Sequence, residues 1–244
     1  MPTKLSVNLN KVATLRNTRD VGVPSVARCA RIALDAGADG ITIHPRPDQR
    51  HIRPSDVADL ASIIRQYPLA ELNIEGNPFH GLLEHALAFR PTQCTLVPDS
   101  KEQSTSDHGW DLAKDGERVR PILLHLRSLG VRTSLFMDAD AAVVARAKQV
   151  GADRIELYTE PYAAAFARGD YGEALLACGA AARTAQAEGL GVNAGHDLNL
   201  SNLGPFLGGV PGVLEVSIGH ALVADALEYG LEDTVRRYLA IAQA

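Results

Sequence analysis

The chain is short of most features that announce a function. Its only cysteines are Cys29, Cys94 and Cys178. An odd, widely spaced set with no Cys-x-x-Cys excludes a disulfide framework and a zinc ribbon, and fits free thiols in a reducing compartment. No run of about eighteen apolar residues occurs, so no membrane-spanning helix is expected. Met1 leads straight into a strand-like segment, without the charged, apolar and small-residue regions of a signal peptide, and a cytoplasmic location is expected. Charge of one sign is missing too. A formal net charge of -5 without a basic cluster argues against nucleic acid or an anionic membrane as partner, leaving a small soluble ligand. There is no Gly-x-Gly-x-x-Gly after the first strand, no His-Glu-x-x-His anywhere and no Pro/Gly/Ser-rich linker. The first two absences weaken dinucleotide-binding and zinc-hydrolase readings; the third leaves residues 1–244 as a single expected domain.

What the sequence does contain is a rhythm. Eight strand-like segments are expected at 5–10, 40–44, 71–75, 93–97, 132–138, 154–159, 191–194 and 213–218, separated by helical patterns. Ser25, Ser55, Pro78 and Asp138 or Asp140 are expected to open helices, and glycines to close them. Ala36-Gly37-Ala38-Asp39 and Val150-Gly151-Ala152-Asp153 repeat nearly the same turn before a strand, and Leu129-Gly130-Val131 and Leu190-Gly191-Val192 shorten it. Eight βα units in a chain of this length predict an α/β fold, a single (β/α)8 TIM barrel. The rival is an open doubly wound sheet. Two connections read as long, 46–54 and 98–116; in a barrel both follow strands on the face where active sites sit, and the longer suits a lid.

Several strands alternate in a way that a helix-covered parallel sheet does not require. If Val7, Leu9, Ile41, Ile43, Leu72, Ile74, Ile155 and Leu157 face the helices, then Asn8, Asn10, Thr42, His44, Asn73, Glu75, Glu156, Asn193 and Ser217 face the barrel interior. Burying that many polar groups without partners costs about 1–3 kcal/mol each, so a polar ligand or a dense hydrogen-bond network is expected. His44 and Glu75 end strands two and three, and His196 follows strand seven. Two imidazoles and a shielded carboxylate at one mouth suit repeated proton transfer. Two glycine-containing turns, 193–197 and 217–221, follow the last two strands, where this fold frequently binds phosphate. With Arg19, Arg46 and His51 they make a doubly anionic ligand plausible. His80, His85, His108 and His125 read as solvated.

Other readings compete. His44, Glu75, Asp138, His196 and His220 offer donors for zinc or manganese in a metal-dependent hydrolase, although their spacing follows no metal motif, and no metal is expected. A sugar-phosphate isomerase would use the same acid/base groups, and a non-catalytic ligand-binding barrel would leave them unexplained.

The blocks that carry this chemistry also carry a resemblance. Val7-Asn8-Leu9-Asn10-Lys11-Val12-Ala13-Thr14-Leu15-Arg16-Asn17, Ile41-Thr42-Ile43-His44-Pro45-Arg46, Asn73-Ile74-Glu75, Ser134-Leu135-Phe136-Met137-Asp138, Asn193-Ala194-Gly195-His196-Asp197 and Ile218-Gly219-His220-Ala221, in that order, resemble the pyridoxine 5'-phosphate synthase family end to end. The resemblance implies condensation of 3-amino-2-oxopropyl phosphate with 1-deoxy-D-xylulose 5-phosphate to pyridoxine 5'-phosphate, inorganic phosphate and water, in vitamin B6 biosynthesis, with no cofactor. It implies Glu75 and His44 as bases, His196 as proton donor and Glu156 as transition-state stabiliser. It matches Asn8, Arg19, Asp197, Gly219 and His220 to positions around the amino ketone phosphate, and Arg46, His51 and Thr105 to those around the pentulose phosphate. It further implies a cytoplasmic homo-octamer whose loop after strand four closes over the site. The chain departs from the pattern at Asn10-Lys11, where many members have Asp-His, and at Asp197, where glycine is usual.

Overall fold

In the computed structural model, which describes residues 2–100, 103 and 106–244, the alternating segments become eight parallel strands that close on themselves in chain order. They are β1 (Lys4–Asn8), β2 (Gly40–Ile43), β3 (Glu71–Gly76), β4 (Gln93–Leu96), β5 (Arg132–Met137), β6 (Arg154–Tyr158), β7 (Gly191–His196) and β8 (Val213–Ile218). The closing pair is β1 with β8, through Ser6 opposite Ser217 and Val7 opposite Ile218. Closure rules out the open sheet and gives the (β/α)8 barrel.

Among the described residues eleven helices cover the strands. The single ones are α3 (Pro54–Ile64), α4 (Leu82–Phe89), α5 (Leu112–Ser128), α6 (Ala141–Val150) and α9 (Leu203–Gly209). Three strands are followed by two helices each: α1 (Asn10–Asn17) and α2 (Val26–Asp35) after β1, α7 (Glu160–Arg168) and α8 (Gly172–Ala187) after β6, and α10 (His220–Tyr229) and α11 (Leu231–Ala242) after β8. None of the described helices is long and apolar enough to cross a membrane.

The period-two reading holds strand by strand. Val7, Ile41, Ile43, Leu72, Ile74, Ile155 and Leu157 are essentially inaccessible and join the helices in one apolar core. The other face of each strand is polar and equally buried: Asn8, Thr42, Asn73, Glu75, Glu156, Asn193 and Ser217, with Ser6, Gln93, Thr95, Ser134 and Glu215 in addition. Phe136 is the large inward-facing exception on β5; it lies outside the helix-packed core and its ring centroid is 5.2 Å from that of His196.

Local signals behave as their chemistry dictates, with four corrections. Ser25 caps α2 by accepting from Arg28 N–H at 3.2 Å, and Asp140 caps α6. Asp138 instead accepts from Gly109 N–H at 3.0 Å, so only one of the two candidate aspartates opens a helix. Helix α3 starts at Pro54, one residue before Ser55, because Arg53 N–H finds Asp56 Oδ2 at 2.7 Å. Pro78 lies in a turn, and α4 waits until Leu82. The turns at Gly37, Gly130 and Gly151 have positive φ as expected, but before β7 that conformation belongs to Gly189, and Gly191 is the first strand residue. β1 ends at Asn8, and Asn10 opens α1 rather than extending the strand.

The connection after β4 is shorter than the expected 98–116. Trp110 is buried; its backbone N–H reaches Phe136 O at 3.0 Å and its indole N–H reaches Leu96 O at 2.8 Å. Asp111 then caps α5. A side chain on Gly109 would stand 2.3 Å from Asp138 N, so glycine is required for this close approach.

Candidate active site

Four titratable side chains converge just above the polar interior. His44 follows β2, Glu75 lies near the end of β3, Glu156 is within β6 and His196 ends β7. Glu75 Oε2 lies 4.0 Å from His44 Nδ1 and 3.8 Å from His196 Nε2, and Glu156 Oε1 lies 3.4 Å from His196 Nδ1. Glu75 and Glu156 are each 1% exposed, whereas the His196 side chain keeps 22% of its surface open toward the cavity above. Neither Glu75 oxygen accepts a hydrogen bond from the described residues, nor does Glu156 Oε1. Buried polar atoms are normally satisfied, so this cluster is built for something that arrives.

The backbone makes room for it. A side chain on Gly195 would meet Ser217 O at 2.6 Å and Glu156 Oε1 at 3.1 Å, so glycine is needed for the carboxylate to sit beside β7. His196 has φ 80°, a left-handed conformation rare for a non-glycine residue, and the turn sets Asp197 on the cavity wall. Sparsely populated backbone conformations of this kind concentrate at functional sites.

The cluster divides its protons unequally. Burial pushes the His44 imidazole well below its usual range, and the neighbouring Arg46 and His51 push the same way, so His44 is neutral near pH 7. Burial also pushes His196 down, but Glu156 and Glu75 beside it outweigh that and hold it up to about 9. Burial raises Glu75 to about 8, with the Glu156 charge adding to it and His196 opposing it. One imidazole is kept as a base and the other as an acid, the pattern by which one site runs both kinds of proton transfer.

Above the cluster lies a cavity of about 250 Å³. Asn8, Arg46, His51, Asp197, Gly219 and His220 all line it, as the sequence led us to expect. Asn10 also lines it, and its side-chain oxygen accepts from His44 N–H at 2.9 Å, fixing the turn that carries the histidine. Gly219 precedes α10 with no side chain capping the helix, which leaves backbone N–H groups for an anion. Burial raises the Asp197 carboxyl against the pull of His196 and His220.

Arg46 and His51 sit on the long connection before α3, and that connection is held rather than solvated. Arg16 pairs with Asp56 at 2.5 and 2.9 Å and donates to His51 O at 3.1 Å; Asn17 donates to the same oxygen at 2.8 Å. Arg46 is buried against Asp99, with a second bond to Gln103 O at 3.1 Å, and Ser106 donates to Asp99 Oδ2 at 2.8 Å. His51 is pushed down to about 4, mainly by burial and then by Arg46 and Lys11.

Two expected residues are not brought in. Arg19 lies exposed beyond α1, away from the cavity lining, and Thr105 lies outside the described residues. The sequence reading missed Lys11 as a lining residue, and Asp99, Ser106 and Thr95 altogether. Thr95 was visible in the alternation of Gln93-Cys94-Thr95-Leu96, whereas no local pattern marks Asp99 as the partner of Arg46. Glu75, Glu156 and His196 also place ligand atoms within 4.8 Å of one another, so a metal could chemically be held there.

Comparisons with known proteins agree with this geometry. Solved structures share the fold at low identity: tryptophan synthase from M. tuberculosis at TM-score 0.67 and 11% identity, covering 100% of this chain and 93% of that one, and 3-keto-L-gulonate-6-phosphate decarboxylase from Vibrio cholerae at 0.62 and 10%, covering 98% and 99%. Sequence relatives reach further. The pyridoxine 5'-phosphate synthase of Albidiferax ferrireducens is 57% identical over 98% of this chain and 97% of its own length, and that of Xanthomonas campestris pv. campestris is 56% identical over 99% and 96%. The family model described as pyridoxal phosphate biosynthesis protein PdxJ matches residues 5–244. Matched over nearly all its length by that model and by relatives above half identity, the chain belongs to the pyridoxine 5'-phosphate synthase family of vitamin B6 biosynthesis.

Proposed function

We propose that this chain condenses 3-amino-2-oxopropyl phosphate with 1-deoxy-D-xylulose 5-phosphate, releasing inorganic phosphate and water as the pyridine ring of pyridoxine 5'-phosphate closes. The observation that carries this reading is the buried Glu75–His196–Glu156 contact beneath a cavity lined by cations. Joining an amine to a ketone and then eliminating water and phosphate requires several proton transfers, and the cluster holds its protons ready for them.

In this reading Glu75 and neutral His44 take protons from carbon and nitrogen, and His196 gives its proton to departing oxygen. Glu156 keeps His196 charged and stabilises positive charge that develops beside it. Arg46 and His51 hold the pentulose phosphate; Asn8, Gly219, His220 and Asp197 surround the amino ketone phosphate. Arg19 and Thr105 enter only through the family resemblance. Holding both phosphates in one cavity turns a bimolecular condensation into a local one.

A metal is not needed for these steps. The reading includes one catalytic domain over residues 1–244, a cytoplasmic location and assembly into a homo-oligomer, an octamer by resemblance. Exposed Leu15, Val21 and Val23 around the α1–α2 junction support assembly, and light scattering tests it.

The deciding experiment mixes chelator-treated protein with both substrates and follows product absorbance and released phosphate. Product and phosphate in step, indifferent to chelator, are expected. Activity that returns only with added zinc or manganese would transfer Glu75, Glu156 and His196 to the metal-dependent reading; no product under either condition would refute the substrate assignment.

A further inference from the structure

Two buried carboxylates, Glu75 and Glu156, face the same imidazole, and their hydrogen-bond partners differ. Neither oxygen of Glu75 meets a donor among the described residues, while Glu156 Oε2 lies 3.4 Å from the hydroxyl of Thr95. Thr95 is fully buried on β4, directly opposite Glu75 in the strand register, with its hydroxyl 3.1 Å from Asn73 Oδ1. Asn73 is itself held, its amide donating to Thr42 Oγ1 at 3.4 Å, and that hydroxyl lies 2.7 Å from Ser6 Oγ. A hydroxyl has one proton and here two acceptors. The hydroxyl therefore bridges the two, tying the Glu156 carboxylate to the polar layer beneath it.

We propose that Thr95 is a positioning residue: its hydroxyl, shared between Asn73 and Glu156 Oε2, holds the Glu156 carboxylate in place against His196. Thr95 touches no substrate and acts only through Glu156, so this inference rests on the role given to Glu156 above.

The test is Thr95→Val, which keeps the shape and removes the donor, compared with Thr95→Ser and with Ser134→Ala as a control. Ser134 Oγ is a buried interior hydroxyl on the neighbouring strand with no hydrogen-bond partner among the described residues. Expected for Thr95→Val is a kcat about tenfold lower with both KM values within about twofold, and an acidic limb of the kcat–pH profile displaced upward by about half a unit to one unit, the size of one net hydrogen bond. Thr95→Ser restores both readouts and Ser134→Ala moves neither. On a Glu156→Gln background Thr95→Val should cost nothing further.

Wild-type kcat and pH profile in Thr95→Val would overturn the proposal, as would a loss that Thr95→Ser does not restore or one fully additive with Glu156→Gln. Wild-type turnover in Glu156→Gln alone would remove Glu156 from the reaction and this role with it, a failure distinguishable from that of Thr95. Should the valine variant not fold, Thr95→Cys keeps the volume, weakens the donor and carries the same comparison.

Discussion

At the N-terminal end of the barrel strands, Glu71 receives Lys4 Nζ at 2.5 Å and also Arg132, and Glu215 lies 3.4 Å from Arg154 and 3.9 Å from Arg132. At the C-terminal end, four residues further along β3, Glu75 is more deeply buried and accepts no hydrogen bond from the described residues. Residue type does not separate the two ends, since both use glutamates facing the barrel axis. Partnership does. Charges at the lower end are matched within the chain and close the barrel; those at the upper end are left with an imidazole at 3.8 Å and a cavity. In a (β/α)8 barrel the first arrangement serves stability and the second chemistry.

Substitutions at the two ends should therefore separate turnover from stability. The largest effect belongs to Glu75→Gln, which keeps the shape of the side chain and removes the base: turnover should fall at least about a hundredfold with the thermal midpoint unchanged or raised, since a poorly solvated carboxylate is lost. Near-normal turnover would move Glu75 out of the mechanism. Next is Arg46→Ala, expected to raise KM for the pentulose phosphate by about ten- to a hundredfold, the value of a charged hydrogen bond, while KM for the amino ketone phosphate stays within about twofold. Equal increases for both would place Arg46 between the two substrates rather than at one.

At the lower end the order reverses. Arg154→Met removes the closer partner of Glu215 and a 3.0 Å bond to Asn193 Oδ1, and should cost about 1–3 kcal/mol in chemical denaturation with kcat preserved. The smallest effect is a pH dependence. Burial holds Glu215 up to about 7 from an ordinary value of 4.5, against the pull of Arg154 and Arg132. Between those two pH values the folded chain keeps a proton that the unfolded chain has released. The stabilisation is therefore full below pH 4.5 and fades as pH rises through 7. Glu215→Gln should flatten that part of the curve of thermal midpoint against pH; an unchanged slope would assign it to other groups.

The same contrast explains what could be read from the sequence. Alternation along β1, β2, β3 and β6 exposed the polar interior and placed His44, Glu75 and Glu156 on it, because side-chain direction in a strand is fixed by position. His196 was legible from its glycine turn after a strand. Strand order followed from the repeated βα rhythm; after β1 the helix opened by Ser25 was legible and α1 was not, and the doubling of helices after β6 and β8 was hidden because their turns look like any other. Pairing was not legible. Nothing local says that Arg46 meets Asp99, fifty-three positions away, or that Thr95 on β4 reaches Glu156 on β6, sixty-one positions away. Nor does the sequence say that His44 and His196 hold opposite protonation states, since the difference arises from Arg46 beside one and two carboxylates beside the other.

That opposition is the centre of the account, and it is measurable without substrate. Histidine ring nitrogens of the free protein can be followed by NMR at pH 7.5, with His44→Asn and His196→Asn variants to assign the signals. The geometry predicts a protonated His196 and a neutral His44 in the same spectrum. Two neutral rings, or the charge on His44 instead, would contradict the division of acid and base on which the proposed chemistry rests.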